Sequence, residues 1–293
     1  MKKKSEFTKS WILENGIPIA KSYYGNLTIR ALHYRLVAIG MTNDLAHYKK
    51  VVNAMIEARW SGDLDFNSFR DHERQSIGKT EYEETFVDEF ATKAKNQIKL
   101  WATSYKKNIW ENQPYYPEIF IEKKALQGVF ERTCYKWKIS LNPCKGYPSL
   151  TFLHDAKNRM EEALHLGKSP IILYFGDYDC SGENIPDTIL ENLNKMGLGS
   201  VELKRVALMK DQVIKWKLPP APTKESDTRS GNWDGLGQVE LDAVDPRKIV
   251  QLCEEAISDI FDNDLFDELQ EKEKVEEKEF KKILKRDFKS LLE

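Results

Sequence analysis

Residues 171–183 read IILYFGDYDCSGE. A largely apolar run ends at Gly176, two aspartates follow one residue apart, and Ser-Gly-Glu comes next. The pattern is a buried strand whose C-terminal end delivers Asp177 and Asp179 beside the start of a helix. Ligands of open α/β sheets gather at strand C-termini. A second strand-like run, Tyr116–Ile121 (YPEIFI), ends the same way, in Glu122. Strand period two puts Asp177 and Asp179 on the same side. Two close carboxylates repel, and a cation is the natural way to keep both ionised. Carboxylates are hard oxygen ligands, so Glu122, Asp177 and Asp179 outline a site for Mg²⁺, with Mn²⁺ as a substitute. The competing reading of D-x-D is a solvated strand end. The apolar strand before it, the Ser-Gly-Glu after it and the second strand end favour the site.

The flanking sequence alternates strand and helix. Strand 118–122 precedes helix 123–136, and strand 137–142 precedes helix 149–166. Strand 170–176 precedes helix 183–196, and strand 200–208 precedes a helix at 209–217. This alternation predicts a parallel α/β sheet flanked by helices. Residues 219–235 (PPAPTKESDTRSGNWDG) form a long polar loop. VELDAV then reads as a further strand, followed by helix 246–261. Upstream, Leu27–Ile39 has apolar residues at helical spacing, capped by Thr28 or Asn26. A second helix is expected over Tyr48–Trp60, then a short strand or turn at LDFNSF. Helix, helix and short β in this order suit a winged-helix DNA-binding unit, and a helical bundle fits nearly as well. A long helix is expected over 81–107, acidic at its start and basic at its end, in accord with the helix dipole. The resulting division is a helical N-terminal domain at 1–112, an α/β domain at 113–262 and a charged helical tail at 263–293.

Charged residues make up 31% of the 293-residue chain. No apolar run approaches the length of a membrane span, and the basic N-terminus lacks the apolar stretch of a signal peptide. Four scattered cysteines without a C-x-x-C pair argue against a disulfide framework or zinc site and for a reducing, cytoplasmic setting. The net charge is −2, with the acidity concentrated C-terminally: residues 251–293 hold 14 acidic against 8 basic side chains. Basic clusters at Lys2–Lys4, Lys93–Lys107 and Lys123–Lys145 are solvated surface or phosphate contacts. The five histidines show no ligand-like pairing, and no Walker loop, G-x-G-x-x-G or G-x-S-x-G is present. Tyr34 falls on the apolar face of its helix, where a core tyrosine is the first reading. Arg30 lies four residues before it on the same face, and a guanidinium favours phenolate and grips phosphate.

Glu122 at a strand end followed by Asp177-x-Asp179-x-Ser-Gly resembles a Toprim domain. The segment TIRALHYRL (Thr28–Leu36) resembles the catalytic helix of the topoisomerase VI A subunit and its meiotic double-strand-break relatives. EKKALQGVF, KGYPSLTF, FGDYDCSGENI, LPPAPTKESDTR and VELDAV resemble short, stand-alone proteins of that kind. The resemblance covers most of residues 25–250, though only short motifs are specific. It implies a winged-helix-like domain followed by a Toprim domain, with Tyr34 as nucleophile, Arg30 as the motif arginine and His33 in place of the first aromatic. It also implies a homodimer in which the tyrosine of one subunit meets the metal site of the other. Tyr34 would form a 5′-phosphotyrosine link to DNA, with Mg²⁺ on Glu122, Asp177 and Asp179. Glu183 is then a group that supports the metal ligands or holds a second metal, and Lys224, Asp227 and Arg229 contact DNA. Cys180 stands where the family commonly has Pro. The chain holds no ATPase segment, so strand passage would need a separate ATPase subunit.

Two other readings stay open. The Toprim-like site hydrolyses DNA with a metal-activated water and Tyr34 is core, or the protein is a non-catalytic nucleic-acid-binding component of a larger complex.

Overall fold

A computed structural model describes residues 7–23, 27–69, 86–101, 103–221 and 237–287, and all that follows concerns those residues. Lys224, Asp227 and Arg229 lie outside them. The chain forms two compact units, Met1–Gln75 with Tyr116–Asp259, and Ser76–Tyr115 with Ile260–Glu293.

The first unit opens with three helices, α1 (Lys9–Ser22), α2 (Ile29–Ala38) and α3 (Leu45–Trp60). Each starts on a residue whose side chain accepts an orphan backbone N–H, Thr8, Thr28 and Asp44 respectively. Of the two caps expected for α2, Thr28 serves, through Ala31 N at 3.0 Å. Helix α1 was not singled out in the sequence because Gly16 and Pro18 interrupt its pattern. Its apolar side nevertheless packs on α2 and α3 around Ile12, Leu32, Leu36, Val51 and Met55. LDFNSF forms a 3₁₀ turn at Phe66–Ser68, and Phe69 bridges to Leu27.

A four-stranded parallel sheet follows, β1 (Tyr115–Ile121), β2 (Ser140–Pro143), β3 (Ser169–Phe175) and β4 (Glu202–Ala207), in the order β2-β1-β3-β4. Glu118 pairs with Ser140 in the β1–β2 register, and Ile171 with Glu202 in β3–β4. Every residue of β3 after Ser169 is buried, as expected of a parallel strand covered on both faces. Ile172 and Tyr174 pack with α6 (Leu150–His165) and α7 (Cys180–Lys195). Phe175, one residue out of phase, meets Phe130 of α5 (Gln127–Trp137) at 4.8 Å between ring centres. The fully buried Glu118 takes both arms of Arg159 at 2.8 Å and the Asn142 amide at 2.8 Å, so its charge is paired inside the layer.

VELDAV is not a strand. Val239 makes a single bridge with Tyr178, and Leu241–Ala243 is a 3₁₀ turn. The Leu241 N–H is committed to the Asp177 carboxylate at 2.8 Å, which removes it from any ladder. After α8 (Lys210–Trp216), Asp245 caps α9 (Pro246–Ser258), with Pro246 in the first turn where its missing N–H costs nothing.

In the second unit, α4 (Val87–Trp101) is shorter than the expected 81–107. The chain leaves it through turn bonds from Thr103 and Ser104 back to Leu100 and Trp101, and residues 81–85 lie outside the described set. Helix α10 (Asn263–Asp287) carries the acidic tail. Its Glu273 and Glu276 pair with Lys106 and Lys107 at 2.7 and 2.9 Å, so part of one basic cluster is neutralised within this unit.

Candidate functional site

The C-terminal edge of the sheet collects the expected acids. Glu122 follows β1 and is held there by its own N–H on the Phe175 carbonyl at 2.9 Å. Its Oε2 accepts the Asp177 N–H at 2.9 Å, tying the two strand ends together. Two glycines permit this approach. A Cβ on Gly176 would stand 2.8 Å from Glu122 Oε2, and one on Gly182 would stand 2.2 Å from the Asp177 carbonyl oxygen. Asp179 is the N-cap of α7 and accepts the Gly182 N–H at 2.6 Å. Glu183 sits exposed on the first turn of the same helix. Arg205 of β4 donates to the carbonyls of Asp177 and Gly182 at 2.6 and 2.5 Å and locks the loop between strand and helix.

Asp177 is buried. Its Oδ1 accepts the Leu241 N–H and its Oδ2 pairs with Lys123 Nζ at 2.8 Å. Burial pushes its carboxyl up to about 7, with Glu122 adding to the rise and Lys123 opposing it. Burial likewise raises Glu122, helped by the charge of Asp179. Lys123 also reaches Asp242 at 3.3 Å and Glu240 at 3.6 Å. Burial works against its ammonium form, but those carboxylates prevail and hold it protonated.

Glu240 extends the cluster to the helical elements. Arg30 grips it with both Nε and Nη2, the latter at 2.7 Å from Oε1, and the Tyr34 hydroxyl donates to Oε2 at 3.0 Å. Burial opposes the Glu240 charge, while Lys123 and Arg30 outweigh it and lower the carboxyl. Tyr34 is 1% exposed. Burial raises its phenol, the Glu240 charge adds to that, and Arg30 only partly offsets the two. Neighbouring bonds fasten the same junction: Arg35 to the Ala243 carbonyl and Tyr23 to Asp245 at 2.9 Å. His33 is buried with Nε2 on Asn43 Oδ1 at 3.2 Å, and burial lowers its pKa.

Among the described residues, no group of three His, Cys, Asp or Glu side chains converges as a metal centre. The reason is geometric: Asp177 faces Lys123, Asp179 turns to its helix N-terminus, and Glu122 faces a backbone amide. The donor set is carboxylate oxygen throughout, with two members raised by burial and mutual repulsion, which fits Mg²⁺ or Mn²⁺ chemically. A cation there would exchange with these present partners.

Tyr34, Arg30, Glu122, Asp177 and Asp179 thus all lie in the first unit. Among the described residues, Tyr34 and Arg30 reach the Asp177 side of the edge through Glu240 and Lys123. Sequence reading gave Glu240 and Asp242 only as part of the expected VELDAV strand and Lys123 as part of a basic cluster of solvated surface or phosphate contacts. The signal for Lys123 was its place immediately after Glu122, on a strand end that turns into the acids. No described helix is long and apolar enough to cross a membrane. No family model, curated protein or solved structure matches the chain.

Proposed function

We propose that the chain is a Mg²⁺-dependent DNA-cleaving enzyme in which Tyr34 attacks a phosphodiester and becomes linked to the 5′ phosphate. The observation that supports this is the unbroken line of polar contacts from the Tyr34 hydroxyl through Glu240 and Lys123 to Asp177 within one chain. In the attack, the Tyr34 oxygen bonds to phosphorus and the bond to the 3′ oxygen breaks. The phenolic proton passes to Glu240, and the departing 3′ oxygen takes a proton from water. Once Glu240 is neutral, its hold on Arg30 weakens, and the guanidinium fork is released to the phosphate. A Mg²⁺ held by Glu122, Asp177 and Asp179 would supply Lewis-acid stabilisation of the phosphate oxygens. Glu183, Lys224 and Arg229 are the outlying candidates, the first for the metal and the others for DNA. A homodimer on DNA and a separate ATPase subunit for strand passage belong to the same reading, with Tyr34 meeting the acids of its own chain rather than those of its partner.

Tyr34→Phe removes only the hydroxyl. We expect the wild type to leave a denaturant-resistant protein–DNA adduct with Mg²⁺ and the variant to leave none and cut nothing. A second reading, hydrolysis by a metal-activated water, is favoured by the burial and raised pKa of Tyr34. Mg²⁺-dependent cutting by Tyr34→Phe without any adduct would establish that reading in place of the first.

A further inference from the structure

A cavity of about 630 Å³ opens within the first unit, where the end of α1 meets α5 and α9. That volume falls in the range of small-molecule sites. Val129, Pro246 and Val250 supply apolar wall, and the charged side chains on it are Arg132, Lys136, Arg247 and Glu254.

Two of the three cations are already neutralised. Lys136 Nζ donates to Glu254 at 2.7 Å, and the Trp137 indole donates to the same oxygen at 2.8 Å. Arg247 forks onto Asp245, with Nε 3.1 Å from Oδ1 and Nη2 2.8 Å from Oδ2. Arg132, one turn before Lys136 on the same side of α5, makes no hydrogen bond or ion pair among the described residues. The wall therefore carries one uncompensated guanidinium, whose planar fork matches a phosphate through two parallel N–H bonds.

Arg247 offers a contact of another kind. Asp245 fixes the plane of its guanidinium, which lies over the Tyr23 ring, 5.1 Å from the ring centre. The side chain is nevertheless 75% exposed, so the face turned away from Tyr23 is open. A guanidinium held flat in this way is a platform on which a nucleobase stacks.

We propose that this cavity binds a nucleoside monophosphate, with its phosphate on Arg132 and its base on Arg247. One unpaired cation matches one phosphate, which disfavours di- and triphosphates. Neither Tyr34 nor any of Glu122, Asp177 and Asp179 lines the cavity, so the proposal stands apart from the chemistry of the sheet edge.

Equilibrium dialysis of the full chain against AMP, adenosine and ATP tests this. AMP is expected to bind saturably with a Kd below about 1 mM, and more tightly than either adenosine or ATP. Arg132→Gln is expected to weaken AMP at least about tenfold and to leave adenosine unchanged. Arg247→Lys keeps the charge and removes the plane, and is expected to weaken AMP and adenosine alike. Lys195→Gln removes an exposed charge on α7, outside the cavity, and is expected to change nothing. The proposal is overturned if AMP does not bind in this range, if ATP binds more tightly than AMP, if Arg132→Gln retains wild-type affinity, or if Lys195→Gln costs as much as Arg132→Gln. Arg132-dependent binding of a 5′-phosphorylated tetranucleotide in place of AMP would assign the cavity to a strand end and overturn it equally.

Discussion

Replacing Glu240 by Gln removes one charge and almost no volume from the junction between Tyr34 and the acidic sheet edge. The carboxylate receives two charge-assisted bonds from Arg30, one bond from Tyr34 and the field of Lys123 at 3.6 Å. A hydrogen bond to a charged group contributes roughly 1.5–3 kcal/mol. Gln keeps one acceptor oxygen and turns its amide donors toward the guanidinium, so one such bond is lost and a donor–donor clash is added. The side chains of the pair are 32% and 21% exposed, which moderates the effect without screening it away. The expected loss is about 3 kcal/mol at pH 7, read as urea unfolding free energy. A cycle with Arg30→Met should show a coupling of about 2 kcal/mol. The pH dependence has a fixed sign. The Glu240 carboxyl titrates below its ordinary 4.5 when folded, so its contribution is complete above that pH and disappears as the folded group takes up its proton. The gap between wild type and Glu240→Gln should therefore close as pH falls below 4.5. A deficit under about 1 kcal/mol at pH 7, additive single variants, or a gap that persists in acid would each refute the assignment of Glu240 as a charged anchor.

Gly182→Ala would drive a Cβ to 2.2 Å from the Asp177 carbonyl oxygen, a backbone atom fixed by Arg205, so we expect a loss of at least about 2 kcal/mol. Thermal unfolding within a degree of wild type would contradict that geometry. Asp245 is opposed by burial, but its bonds from Arg247 and Tyr23 lower it from 3.8 to about 2. Asp245→Asn should cost about 2 kcal/mol at neutral pH, with the difference fading as pH falls from about 4 toward 2. A pH-independent difference in denaturant midpoints would rule this out. Native alkylation should label Cys180 alone, because Cys134, Cys144 and Cys253 are buried and burial raises each thiol. Labelling of any of those three at the rate seen in denaturant would be inconsistent with the packing described.

The α/β layer was legible because hydrophobic pattern and punctuation agree there. β3 is uninterrupted and apolar, and the Asp179 cap begins α7 three residues earlier than the helix expected at Glu183. Residues 239–244 misled because alternation cannot tell a ladder from a segment whose amide serves a distant carboxylate, here Asp177. Helix α1 was obscured by Gly16 and Pro18, and its stability comes from packing on α2 and α3, which local propensity does not carry. The acids of the site were visible because they end strands. Lys123 and Glu240 were not, since their roles depend on contacts spanning 54 and 210 residues of sequence. Tyr34 shows the limit most clearly: its spacing marks it as buried, and only the fold reveals that the buried hydroxyl ends on an acid.

Lys123 gives the acidic edge the character of an ion exchanger. Its ammonium is tethered among Asp177, Asp242 and Glu240, so it competes at an effective concentration far above that of free salt ions. Sodium or potassium offers the same single charge without the tether and gains nothing by replacing it. A dication offers twice the charge and can release the lysine. Charge balance at the sheet edge is therefore supplied by the chain itself, and the proposed Mg²⁺ would have to displace the lysine ammonium to bind there.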